Sequence, residues 1–125
     1  MDITPLVPEG RQLVESYGGG RFRVSGVVHE GSILITPEVT LNWDVHDWAQ
    51  VDLASLEPLL ALDPAVEILI LGCGPAIAQV PRALREAVRE RGPVLEPMDS
   101  GAACRTYNVL MSEERRVAAA LIAVE

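Results

Sequence analysis

Val66-Glu67-Ile68-Leu69-Ile70-Leu71-Gly72-Cys73-Gly74-Pro75 is the stretch that decides the fold. Its first six residues are apolar save Glu67. Such a run predicts a strand buried on both faces, as in a sheet covered by other layers above and below. The two glycines and Pro75 then end it. Downstream, Pro81 to Arg91 carries the clearest helical pattern. Pro81 suits a first turn, Leu84 and Val88 form a stripe with Ala87, and Gly92-Pro93 supplies the stop. Val94-Leu95-Glu96 follows as a short strand. Strand, glycine turn, helix and strand make a βαβ unit, for which a right-handed crossover is expected.

Outward from that unit the signals are more mixed. Leu53, Leu56, Leu59 and Leu60 have helical spacing, and Pro58 fits the first turn if Ser55 is the N-cap. Asp63-Pro64 ends this helix. Ser100 is expected to cap a second helix carrying Ala103, Tyr107, Leu110 and Met111 on one face. The tail from Val117 to Val124 reads two ways. Its three alanines favour helix, while Leu121-Ile122-Ala123-Val124 suits a buried strand. The N-terminal half is rich in strand and turn signals. Arg11 to Tyr17 can alternate, Gly18-Gly19-Gly20 breaks the chain, and Arg21-Phe22-Arg23-Val24 alternates at period two. Gly26 to His29 and Ser32 to Thr36 flank Glu30-Gly31 and read as a hairpin. The first half thus predicts an added antiparallel layer.

The 125 residues argue for one domain, 1–125, large enough for a real core. Apolar residues make up 49% and charged residues 22%, which is ordinary for a globular protein. No apolar run approaches the ~18 residues of a membrane span. Met1 to Pro5 lacks the basic and apolar regions of a signal peptide, so the cytoplasm is the expected compartment. The net charge is −8, and all ten basic residues are arginines. Such a chain is a poor binder of nucleic acid, whose affinity comes from phosphate neutralisation. The two cysteines, Cys73 and Cys104, are too few for a disulfide framework.

Several constellations invite chemistry. Gly72-x-Gly74 after a buried strand, with Glu96 further on, is the start of a dinucleotide fingerprint. Ile77 stands where the third glycine belongs, and Pro75 and Pro81 delay the helix. A tight turn that lets segments pack closely is the better reading, and no cofactor is expected. Cys104 beside Arg105 has the setting of an activated thiol, but neither His29 nor His46 is tied to it as a base. A packed, buried cysteine is the better reading. Asp44, His46 and Asp47 are a thin ligand set that lacks a histidine pair. They read better as a solvated segment between anchoring Trp43 and Trp48, and no metal is expected. Those two tryptophans are also candidates for a self-interface.

Arg105, Thr106 and Asn108 are the most open case. With Gly72, Gly74, Asp99 and Cys104 they suit a pocket for an anion or small molecule, Arg105 supplying the fork. Equally, Arg105 pairs with Asp99 while Thr106 and Asn108 satisfy loop carbonyls.

Gly72-Cys73-Gly74, followed by Pro97-Met98-Asp99-Ser100-Gly101-Ala102-Ala103-Cys104-Arg105-Thr106-Tyr107-Asn108-Val109-Leu110, resembles the Mth-like domain family. That family includes the mitochondrial respiratory complex I assembly factor three and the adipogenesis-associated Mth-like protein. Gly26 to Ile35 is similar to its early hairpin, and Ser112 to Ile122 to its closing segment. The resemblance implies a single three-layer α/β domain with a mixed central sheet, an additional antiparallel β layer from the N-terminal half, and two to three helices. It implies a strand for the alanine-rich tail. It implies no established reaction and no agreed catalytic residues. The function it implies is non-catalytic binding of a protein partner in an accessory or assembly role. The alternative is a small-molecule or anion-binding protein, or an enzyme, using the Gly72–Gly74 and Cys104–Asn108 pocket.

Overall fold

A computed structural model describes residues 10–125. The reading of Met1 to Pro5 as lacking a leader falls outside these residues. In chain order the strands and helices are β1 (Val14–Gly18), β2 (Arg21–Val24), β3 (Val27–Glu30), β4 (Ile33–Ile35), β5 (Thr40–Asn42), α1 (Glu57–Leu60), β6 (Ile68–Gly72), α2 (Arg82–Glu90), β7 (Val94–Met98), α3 (Ser100–Ser112) and β8 (Val117–Leu121). Two 3₁₀ turns, Trp48–Gln50 and Ala54–Leu56, precede α1.

A five-stranded mixed sheet in the order β5-β4-β8-β6-β7 forms the centre. β6 runs parallel to both β7 and β8, and β4 runs antiparallel to β8 and β5. One face packs Leu34, Leu69, Leu71, Ala118 and Ala120 against Leu56, Leu59 and Leu60 of the α1 region and Val88 of α2. The opposite face packs Ile33, Ile35, Ile70, Ala119 and Leu121 against Ala103, Tyr107 and Met111 of α3 and Phe22 and Val24 of β2. Residues of each strand therefore alternate between two cores, as strand geometry requires. The mixed α/β architecture expected from the sequence is what forms, with the extra antiparallel layer β1-β2-β3 beside α3.

The tail resolves as a strand. β8 is central, and all five of its residues are buried. Alanine's helix propensity, a few tenths of a kcal/mol per residue, loses to pairing on both edges. Small side chains suit a strand pressed between two layers.

The small sheet corrects one expectation. Glu30-Gly31 does not close a hairpin: β3 pairs with β2, and β4 enters the central sheet. The hairpin turns are Gly19-Gly20 and Ser25-Gly26. Their φ values, +61° and +77°, +44° and +87°, are all positive, as a two-residue type I′ turn demands. Ser25 tolerates this region because its hydroxyl donates to Arg11 O at 2.9 Å and accepts from Leu13 N–H at 2.9 Å.

Two smaller readings also change. Ser55 does not cap α1. Leu56 precedes that helix with no side-chain cap, and Ser55 instead exchanges hydrogen bonds with Asp52. Trp43 is only 5% exposed and its indole N–H donates to Ser55 O at 2.8 Å. Trp48 is half-buried against the same core. Trp43 is thus a core residue and is not available to anchor a self-interface, while Asp47 caps the 3₁₀ turn that Trp48 begins.

Candidate functional site

The N-terminus of α3 meets the ends of β6 and β8 in a closed hydrogen-bond circuit. Asp99, not Ser100, is the N-cap, its Oδ1 accepting from Ala102 N–H at 2.8 Å. Ser100 stands inside the first turn, fully buried. Its N–H donates to Gly74 O at 2.8 Å, and its hydroxyl accepts from Gly74 N–H at 3.0 Å. That hydroxyl also donates to Ile122 O at 2.6 Å, and Ile122 N–H donates to Gly72 O at 3.0 Å. Cys73 N–H donates to Met98 O at 2.8 Å. The loop N–H groups that a phosphate would need are therefore already committed within the protein.

Both glycines are set by this junction. A Cβ on Gly72 would lie 3.0 Å from Leu121 Cδ2 and 3.1 Å from Ser100 Cα. Gly74 holds φ at +100°, a region that other residues rarely adopt. The close-packing reading of Gly72-x-Gly74 is what the geometry supports.

One turn along α3 the side chains take up different tasks. Cys104 is 3% exposed, and burial pushes its thiol up to about 12 despite the opposing pull of Arg105. It is held as a thiol rather than as a nucleophilic thiolate. Burial likewise raises Cys73. Tyr107 is fully buried and donates its hydroxyl to Gln12 O at 2.8 Å; burial, then the field of Glu38, pushes its phenol upward. Asn108 accepts from Val14 N–H at 3.0 Å and donates to Val14 O at 2.8 Å. Its amide takes both backbone groups of an edge-strand residue, as a neighbouring strand would.

Arg105 remains exposed. Asp99 turns its carboxylate to Ala102, and Arg105 has no ion pair or side-chain hydrogen bond among the described residues. Of the other nine arginines only Arg116 shares that state; the rest hold a carboxylate or a carbonyl. Thr106 is half-buried beside it.

The seven candidate residues thus divide. Gly72, Gly74 and Asp99 belong to the junction. Cys104, Arg105 and Asn108 line a cleft of about 340 Å³ whose other wall is Val14 to Tyr17 of β1, not the glycine loop. Thr106 lines neither. Sequence reasoning missed Tyr17 as part of this wall, although its place just before three glycines marks the end of an edge strand. A second groove of about 290 Å³ lies between the segments 36–38, 62–66 and 114–117. Its three arginines, Arg11, Arg115 and Arg116, are equalled in number there by Glu38, Asp63 and Glu114, and only Arg11 and Glu38 among them form an ion pair with each other.

The family described as protein of unknown function (DUF498/DUF598) matches residues 14–122. The chain belongs to the DUF498/DUF598 family. An uncharacterized Rhodobacter capsulatus member is 42% identical over 113 residues, covering 90% of this chain and 86% of its own. The NADH dehydrogenase [ubiquinone] 1 alpha subcomplex assembly factor 3 of Xenopus tropicalis is 33% identical over 110 residues. That match covers 88% of this chain and 60% of the assembly factor, so the chain spans about three fifths of that relative. The solution NMR structure of a Mth938-like domain from Bordetella pertussis superposes with a TM-score of 0.81 at 28% identity, covering 98% of this chain and 92% of that one. The Mth-like resemblance of the sequence is therefore correct. Among the described residues no helix is long and apolar enough to cross a membrane.

Proposed function

We propose that this DUF498/DUF598 protein works by binding a protein partner, in an assembly or accessory role and without a reaction of its own. One observation carries the reading: the chain aligns over 88% of its length with a protein named as an NADH dehydrogenase [ubiquinone] assembly factor. The local chemistry agrees. The side chains of α3 and its junction are engaged in structure: Cys104 as a buried thiol, Tyr107 and Asn108 as ties to the β1 segment, and Ser100 as the pin of the junction. On this reading the unit is one domain, 1–125, acting in the cytoplasm on protein rather than on nucleic acid.

The test is affinity purification of the tagged chain from its native cells at low salt, with cross-linking and mass spectrometry. A partner recovered reproducibly and in fixed ratio is the expected result. Repeated recovery of the bare chain, together with a small molecule that co-purifies or raises Tm, would move the assignment to the ligand-binding alternative.

A further inference from the structure

We infer that the cleft between α3 and β1 receives a short, extended, acidic segment of the partner, laid along the free edge of β1 and fixed by Arg105. This rests on the protein-binding reading and names its surface.

Three observations converge on it. First, β1 is an edge strand of the small sheet, in the order β1-β2-β3. Edge strands expose unpaired N–H and C=O groups, and proteins that need no partner there cover or disrupt them. Here the cover is partial: Asn108 satisfies Val14, the register shifts at Glu15, and the edge runs on through Ser16 and Tyr17 along the open cleft. An added strand would pair with β1 beyond that shift, in the way sheet edges take up extended peptides.

Second, an uncompensated cation, Arg105, stands here on an acidic molecule. The chain has ten basic and eighteen acidic residues. A neighbouring hollow shares Ser16 and Tyr17 with the cleft. Around the two together stand Arg21, Arg23 and Arg105 with Glu15, and Arg21 holds Glu30 at 3.5 Å. Glu15 is itself held by Arg23 at 3.3 Å. Arg105 is left with a guanidinium that nothing among the described residues engages. A second copy of this chain, at −8, is the wrong complement for such a patch, and an acidic segment is the right one.

Third, apolar side chains stand out of their cores beside these charges. Tyr17 is 44% exposed, and Val109, one turn after Arg105 on the same face of α3, is 51% exposed. Tyrosine and arginine are residue types enriched among the hot spots that dominate binding energy once a partner covers them. The volume of about 340 Å³ is at the lower end of the ~300–1,000 Å³ of ordinary ligand sites. It suits a few residues of extended chain, not a folded surface.

The experiment uses the full chain, ¹⁵N-labelled, and two fluorescein-labelled octapeptides, one alternating Val and Glu, the other Val and Arg. The acidic peptide should shift the amide resonances of Glu15 to Gly18 and of Arg105 to Val109. Its Kd, read by anisotropy, should rise at least tenfold in Arg105→Glu and stay unchanged in Arg116→Glu, the other unengaged arginine at the far end of the sheet. Arg105→Glu should keep the wild-type Tm, which separates lost binding from lost fold. Tighter binding of the basic peptide, equal binding by Arg105→Glu, or displacement by millimolar inorganic phosphate alone would each overturn the proposal. A partner captured as well by Arg105→Glu as by wild type would also overturn this surface while leaving the assembly reading standing.

Discussion

The two halves of α3 do opposite things with similar residues. At its N-terminal end, Ser100, Gly72, Gly74 and Ile122 close every hydrogen bond on one another, and space is so short that a single methyl would collide. One turn later Arg105 and Val109 face outward beside an incomplete sheet edge. Distinctive side chains are not a guide to function by themselves. The glycine pair and Cys104 look like chemistry in the sequence, yet here, with Ser100 and Tyr107, they make the fold. The residues left over for recognition are an arginine and a valine of ordinary appearance.

The contrast breaks if the interior of α3 is not what holds the layers together. Tyr107 fills the space between β8, β4 and the small sheet, and its hydroxyl reaches Gln12 O. Tyr107→Ala should cost about 3–5 kcal/mol, as large aromatic truncations in cores do, and lower Tm on the order of 10–20 °C. A calorimetric loss below about 1 kcal/mol would show that α3 is attached otherwise.

Alkaline pH probes the same interior without a mutation. Cys104 holds its proton to about pH 12 in the folded chain, against an ordinary value of 9.0. Cys73 and Tyr107 are shifted in the same direction by burial. A folded state that keeps protons which the unfolded chain releases is fully stable below about pH 9 and loses stability as pH climbs toward 12. Cys104 alone gives roughly 1.4 kcal/mol per pH unit in that window. Urea midpoints at pH 7, 8 and 10.5 should therefore be level between the first two and fall at the third. Iodoacetamide at pH 8 should leave Cys104 unmodified until urea is added.

Much of the fold was legible in the sequence, for a physical reason. β6, α2 and β7 announce themselves through an apolar run, a helical period and a glycine-proline stop, all of them local signals. What was not legible depended on distant pairing. Gly31 does turn the chain, but whether the next strand returns to its neighbour or joins another sheet is decided by β8, ninety residues away. Ala118 to Ala120 read as helix or strand by local signals alone, and two flanking strands decide for strand. Of the site, Arg105 was visible as a fork for an anion, but the wall facing it was not. The sequence pointed to the glycine loop, and the structure puts β1 there.

Ser100→Ala tests the junction at smaller scale. It strands Gly74 N–H and Ile122 O, both deprived of a close buried partner. A loss of about 1–3 kcal/mol follows for an unsatisfied buried group. Gly72→Ala should fall in the same range, because overpacking a full core costs about 1–3 kcal/mol, and the atoms it meets are Ser100 Cα and the buried Leu121. Chemical denaturation of the two variants would separate this from a loose loop, which would absorb either change with no shift in midpoint.

Gly101→Ala should have the smallest effect on stability, although its Cβ meets the most severe obstacle. That Cβ would run into the Tyr17 hydroxyl and come within 2.9 Å of Tyr17 Cζ. A backbone neighbour there would be prohibitive. Tyr17 is instead the end of a flexible side chain, 44% exposed on an edge strand, so it can rotate away into solvent. The gain from replacing a helical glycine with alanine, about 0.5–1 kcal/mol, offsets the contacts the ring gives up. Net stability should stay within about 0.5 kcal/mol of wild type, whereas the ring resonances of Tyr17 shift strongly. The same glycine-to-alanine change thus costs stability at Gly72, where the neighbour is fixed, and moves only a rim side chain at Gly101. A large loss of Tm in Gly101→Ala would mean that Tyr17 is locked in place, and the cleft beside Arg105 would then belong to the rigid junction rather than to an adaptable binding edge.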